Sequence, residues 1–330
     1  SSRSLEMLLR RYTLGTRRLA DFDALPTPFR AVATDMETGQ AVVLGDGDLA
    51  AAMRASMSVP GVFAPLELDG RILGDGGLVN NLPVDVARRL GADAIIAVNI
   101  GTPLAPRDTL GSLIGLSTQM INILTEQNVQ RSLDSLKDGD LLLAPPLGRL
   151  TSADFDRAPE LVALGNDYAR TLAPALARFA VPPEAFEAWR QQRQAASAAD
   201  PLPATLAFVR IEGVPDAVQQ RLQTQIGANA GQPMDPARAE QDLRRLIANG
   251  DYMRADYRLA TEAGGEGLLY QLAERDWGRN DFRLGLDLKT DFDGQGAFNL
   301  RLSHNRHWIN EHGAEWRSRI QLGERTGLYS

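Results

Sequence analysis

The chain has 330 residues, of which 44% are hydrophobic and 23% charged, a globular composition at a length that suits two or three domains. A formal net charge of −7 argues against nucleic acid as the main partner, because phosphate binding needs a basic face, and it leaves neutral lipid open. With no cysteine, thiol catalysis, disulfides and thiolate metal sites are excluded together, and no apolar run reaches the roughly 18 residues of a transmembrane helix.

The first residues, Ser1 to Leu19, carry arginines without a long apolar core and do not read as a signal peptide. There is no initiator Met, so the natural start is expected upstream. From 1 to 188 the pattern alternates helices and short apolar strands, which predicts an α/β fold. A strand is expected over 29–34 and a helix over 49–58. A short helix is expected over 83–90, with Pro83 near its first turn and Gly91 past its end. The continuous apolar run 94–98 suits a strand buried on both faces of a parallel sheet. Long helices follow at about 111–137 and 158–179, with the strand 141–143 between them. Residues 189–204 read as a linker after a helix tail, rich in Ala, Gln and Pro.

Residues 205–275 read as a small unit in the order strand, helix, helix, strand, strand. Its second helix has Asp235 as N-cap, Pro236 at its first position and Asn249-Gly250 as its stop. From 276 to 330, Phe282, Leu284, Leu286 and Leu288 alternate with polar residues, and Phe298, Leu300 and Leu302 repeat this. Ten-residue alternating segments between turn residues are the pattern of a membrane β-barrel, and a soluble antiparallel sheet gives a similar one. About 55 residues make about four strands, whereas a membrane barrel needs at least about 8, so the chain is expected to stop within the barrel.

The chemistry is narrowed by what the sequence lacks. There is no G-x-S-x-G serine turn. The nearest strings, at Ser112 and Ser117, lie in the apolar-periodic helix and read as structural. The only histidines are His304, His307 and His312, all in the tail, so the α/β region cannot complete a Ser-His-Asp triad. Those histidines read as turn or surface residues, and neither a metal nor a cofactor is expected. What remains is Asp75 in the string Gly74-Asp75-Gly76-Gly77. A carboxylate in a glycine-flanked turn can be held rigidly and approached closely, and a plain Asp-Gly turn explains the same string.

The strings around Asp75 go further. Ala55 to Pro65, Gly74 to Val84, and Leu90 to Ile100 closely resemble the second half of the bacterial patatin-like phospholipase domain, and Phe29 to Gly39 resembles the strand before it. The resemblance covers about residues 1–180. It implies the C-terminal part of a three-layer patatin-like domain, a lipid acyl hydrolase acting on phospholipid or another lipid ester, and a Ser–Asp dyad whose aspartate falls on Asp75. Gly74, Gly76 and Gly77 are then its motif support. The family's oxyanion loop and serine are expected upstream, which leaves these 330 residues without their nucleophile. Thr34, Asp35, Arg54 and Ser56 fall in family-like strings, either as cleft residues or as packing and sheet-edge polar groups.

Residues 205–275 resemble a polypeptide-transport-associated (POTRA) domain. The tail, from Trp277 and Phe282 onward, resembles the start of a surface-antigen outer-membrane barrel. The three in this order resemble the patatin subgroup of type V secretion proteins. That resemblance implies a Gram-negative outer-membrane location, a passenger at the cell surface or secreted, and a homodimer as the assembly. The competing function is a non-catalytic outer-membrane assembly or transport factor that adds extended chains to a sheet edge. A soluble cytoplasmic patatin-type hydrolase is a third, and the tail speaks against it.

Overall fold

The computed structural model describes residues 2–197, 199–248, 250, 252–274, 281–290, 296–306, 316–323 and 327–329. His307, His312, Trp277 and Asn249, named above, lie outside the described residues. The chain divides into two compact units, one of Thr16–Asp200 and one of Ser1–Gly15 with Pro201–Ser330.

The chain begins with α1 (Ser2–Thr13), which belongs to the second unit. The α/β unit then opens with β1 (Ala31–Asp35) and β2 (Ala41–Leu44), a hairpin turned by Asp35, whose side chain accepts the backbone N–H groups of Glu37 and Thr38. Next comes α2 (Leu49–Ser56), capped by Asp48 through the N–H groups of Ala50 and Ala51. β3 (Leu66–Leu68) and β4 (Arg71–Asp75) complete an antiparallel sheet of order β2-β1-β4-β3. All four alanines of α2 are almost fully buried, and their small side chains allow close approach to the sheet; Ala51 and Ala55 pack with Ala33, Leu66 and Leu73.

A short helix α3 (Gly77–Asn80) follows β4, then α4 (Val84–Arg89), β5 (Ile96–Val98), the long α5 (Leu113–Asp134) and β6 (Leu141–Leu143). β5 and β6 pair in parallel, as the apolar run predicts. Burial on both faces is not found. Ala97 is buried against Leu82, Val84 and Val129, whereas Ile96 and Val98 are 46% and 50% exposed. Alternation puts these two on the other face of the strand, which no cluster of the described residues covers. The unit ends with α6 (Ala158–Thr171), α7 (Ala173–Leu176) and α8 (Pro183–Ala196). The expected linker is therefore helical to Ala196, because Pro183 at the first helical position starts a new helix where the composition suggests an ending.

In the second unit, β7 (Val209–Glu212), α9 (Asp216–Gln223), α10 (Pro236–Ala248), β8 (Tyr252–Glu262) and β9 (Gly265–Glu274) follow the expected element order. The sheet has order β7-β9-β8, with β7 parallel to β9 and an antiparallel β8–β9 hairpin. Its core joins Leu243, Leu246, Tyr257 and Tyr270 with Met7 and Leu14 from the chain's beginning. Asp242 is buried among them, satisfied by the N–H groups of Gly227 and Ala228 and the Tyr270 hydroxyl. The α1 helix docks here through a buried Arg10–Asp256 pair at 2.7 Å and an Arg11–Glu240 pair at 2.6 Å. Residues 1–15 thus depart from the single unit expected over 1–188. An amphipathic helix announces that it packs, and its period does not say on which surface.

The tail forms β10 (Asp281–Thr290), β11 (Gly296–Arg306), β12 (Trp316–Gly323) and β13 (Gly327–Tyr329), a four-stranded antiparallel meander. His304 sits on β11 opposite Phe282 and Ser318. Among the described residues these strands do not close into a barrel. No described helix is long and apolar enough to cross a membrane.

Candidate active site

Asp75 is the last residue of β4, in register with Ala33 on β1. Its backbone is fixed on both sides. Its N–H donates to Ser58 O at 3.1 Å, and its carbonyl accepts the Thr34 hydroxyl at 2.7 Å. The same peptide is held at its other end, with Gly76 N–H donating to Ser56 O at 3.3 Å. The half-buried carboxylate accepts Gly77 N–H on Oδ1 at 2.6 Å. Burial pushes the Asp75 carboxyl above the usual carboxylate range, and the Gly77 N–H, which favours the charged form, opposes this in part.

The three glycines are explained by packing. Gly76 has φ −64° and ψ −24°, open to any residue, but a Cβ there would run into the backbone carbonyl of Val32 on β1. A Cβ on Gly77 would lie 2.7 Å from Asn81 Oδ1 and 2.9 Å from Asp75 Oδ1, and one on Gly74 would meet the Met36 sulfur at 2.5 Å. A side chain at Gly74 or Gly76 would thus meet β1 and the residue after it, and one at Gly77 would crowd the Asp75 carboxylate itself.

The four family-like residues are held in structural bonds. Thr34 serves the Asp75 carbonyl and Asp35 the β1–β2 turn. The Ser56 hydroxyl donates to Val32 O at 2.6 Å. Arg54 is buried, donates to the Ser58 hydroxyl and to Ala64 O, and stacks over the Phe63 ring at 5.3 Å. It therefore shapes the loop from Ser58 to Pro65. That loop, with Met36 and Gly74, lines a mainly apolar cleft of about 370 Å³. Ser112 caps α5 by accepting Gly115 N–H, in keeping with a structural role.

Sequence reasoning misses the second layer. Asn128 of α5 is 3% exposed. Its Nδ2 donates to Gly77 O at 2.8 Å, and its Oδ1 accepts Asn81 N–H at 2.8 Å. Thr125, one turn earlier, donates to the same Gly77 carbonyl at 3.2 Å. The available signal is a polar residue beside Val129 on the buried stripe of an apolar helix, where an unpaired amide is costly.

Residues 7–88 match the family model for patatin-like phospholipases. The chain is 30% identical over 173 residues to patatin-like phospholipase domain-containing protein 7 of Mus musculus, covering 44% of this chain and 12% of that protein. It is 47% identical over 78 residues to an uncharacterized NTE family protein of Mycobacterium bovis, covering 24% of this chain and 22% of the relative. A patatin-like phospholipase domain-containing protein of Caenorhabditis elegans is 32% identical over 163 residues, or 42% of this chain and 12% of its own length. The chain thus spans between about an eighth and a quarter of the length of these relatives. Asp75 and its three flanking glycines lie inside the stretch that matches the patatin-like phospholipase family.

Proposed function

We propose that the chain is part of a lipid acyl hydrolase in which Asp75 is the general base of a Ser–Asp dyad. The observation that carries this is the Asp75 carboxylate itself, half-buried and held on the Gly77 N–H within the patatin-like stretch. A carboxyl raised by burial is a stronger base than one in water, which suits it to take the proton of an attacking hydroxyl. In this reading the nucleophile is the serine of a G-x-S-x-G turn, a string the 330 residues do not contain. The serine oxygen attacks the ester carbonyl of a phospholipid or related lipid while its proton passes to Asp75. The tetrahedral intermediate then collapses, the alcohol leaves with that proton, and water clears the acyl-enzyme with Asp75 again as base.

The remaining regions fit an exported form of this enzyme. The strand-helix-helix-strand-strand order of β7 to β9 supports a POTRA-like unit, and the antiparallel meander from β10 to β13 supports the first strands of an outer-membrane barrel. On this reading the protein is a type V secretion lipase of the Gram-negative outer membrane.

The test is fatty-acid release from phospholipid vesicles by a longer form of the protein that carries the serine turn. Asp75→Asn is expected to lower kcat by about 100-fold or more, the usual scale for losing a general base, with KM little changed. Parental activity in a folded Asp75→Asn protein would overturn the assignment.

A further inference from the structure

The one-turn helix α3 begins two residues after Asp75, and a side chain joins its last backbone donor and acceptor. Asn80 N–H donates to Gly76 O at 2.8 Å, the ordinary helical bond. The next bond in the series would run from Asn81 N–H to Gly77 O. Here the Asn128 carboxamide stands between the two, donating to Gly77 O and accepting from Asn81 N–H, both at 2.8 Å. The orientation of the amide is fixed by its partners, since a backbone N–H can only donate and a carbonyl can only accept. Asn128 also donates to Leu124 O at 3.1 Å in its own helix, so the bridge is anchored to α5.

We propose that Asn128 is a positioning residue for Asp75: its carboxamide clamps the last backbone donor and acceptor of α3 and so fixes the Gly77 N–H that holds the Asp75 carboxylate. This rests on the reading of Asp75 as the base. The linkage runs through one residue, Gly77, whose N–H and carbonyl lie in the two peptide planes joined at its Cα. The Gly77 carbonyl is pinned by Asn128 and Thr125, and the Gly77 amide points its N–H at Asp75 Oδ1 at 2.6 Å. A helix of four residues has little hold on its own orientation, because nucleation fixes several dihedrals for one bond. The long helix α5, by contrast, is packed through Val129 and Leu133 against Leu82, Val84 and Ile95. Asn128 thus transfers the rigidity of a packed helix to a turn that lacks its own.

The experiment uses the 330-residue chain labelled with ¹⁵N-glycine and ¹³C-aspartate, with Gly77→Ala and Asp75→Asn serving only to assign the two signals. In Asn128→Leu, close in size but without either hydrogen bond, the Gly77 amide is expected to exchange about tenfold faster or more, the loss of one buried hydrogen bond. The Asp75 titration midpoint is expected to rise, because the N–H that favours the charged form is no longer aimed. Val129→Ala, on the same helix and facing the same apolar cluster, lowers stability without touching the bridge. It is expected to leave the Asp75 midpoint where it is. If Asn128→Leu does not fold, Asn128→Ser is read in the same way. An unchanged Asp75 midpoint in the folded Asn128 variant would overturn the proposal, as would equal shifts in the Asn128 and Val129 variants. Failure of the dyad reading shows separately, as hydrolysis that survives Asp75→Asn.

Discussion

Replacing Gly76 with alanine sets two effects of opposite sign against each other, and the structure decides between them. The backbone at Gly76 is right-handed helical, with φ −64° and ψ −24°, so conformational entropy alone predicts stabilisation of about 0.4–1 kcal/mol. The added methyl, however, would collide with the Val32 carbonyl and stand 3.3 Å from Ala33 N. These are backbone atoms of β1, paired on one side with β2 and on the other with β4, and no side chain can swing away to make room. Overpacking of this kind costs about 1–3 kcal/mol. If the turn retreats, it loses the Asp75–Ser58 and Gly76–Ser56 backbone bonds, at about 1 kcal/mol each. The net expectation is destabilisation by about 3 kcal/mol. Hydrogen exchange followed by mass spectrometry over 31–35 and 71–80 reads this as exchange faster on the order of 100-fold. Gly165→Ala is the control, since that glycine lies within α6 with nothing near its missing Cβ, and it is expected to stabilise by roughly 0.5–1 kcal/mol. Unchanged or slower exchange in Gly76→Ala would refute the claim that β1 and the Asp75 turn are in backbone contact.

Two further predictions concern the supports of the two units. The Arg88 guanidinium, with the N–H groups of Lys137 and Ile95, lowers the Asp140 carboxyl to about 2. Its stabilising contribution is therefore complete above the ordinary value of 3.8 and lost as pH falls through about 2. The stability difference between the parent and Asp140→Asn, measured by urea unfolding at each pH, should shrink from pH 4 to pH 2, and a constant difference would contradict it. Arg10→Met leaves the buried Asp256 carboxylate with the more distant Arg254 guanidinium at 3.8 Å and is expected to destabilise the second unit by about 3 kcal/mol, with exchange protection lost over residues 2–13. Retained protection there would show that the ion pair does not hold the helix.

Local chemistry made much of the fold legible. Asp235 accepts Ala237 N–H at the start of α10, as its place before Pro236 predicts, and the run 94–98 gives a strand in a parallel pair. Among the described residues the tail has four strands, the number that length alone suggests. Less legible were features set by distant partners. β2 and β3 are only four and three residues long, too short for a period of two to stand out. The exposure of Ile96 and Val98 depends on what lies over the strand, which an apolar run does not state. At the candidate site, the string around Asp75 singles out that carboxylate as a candidate. The bridge from Asn128 spans 51 positions to Gly77, and only the fold brings the two together.

The docking of α1 has a consequence for the order in which the protein is made. Arg10 and its partner Asp256 are separated by 246 positions, and the whole of 16–200 lies between the two parts of the unit they join. At about 5–20 residues per second, a ribosome takes roughly 10–50 s to travel from one to the other. Throughout that interval the first helix has been synthesised and its binding surface has not. Residues 16–200 are synthesised well before then, and any compaction of that stretch shortens the loop that α1 must close. Residues 2–13 are therefore among the last of these elements to reach their native place.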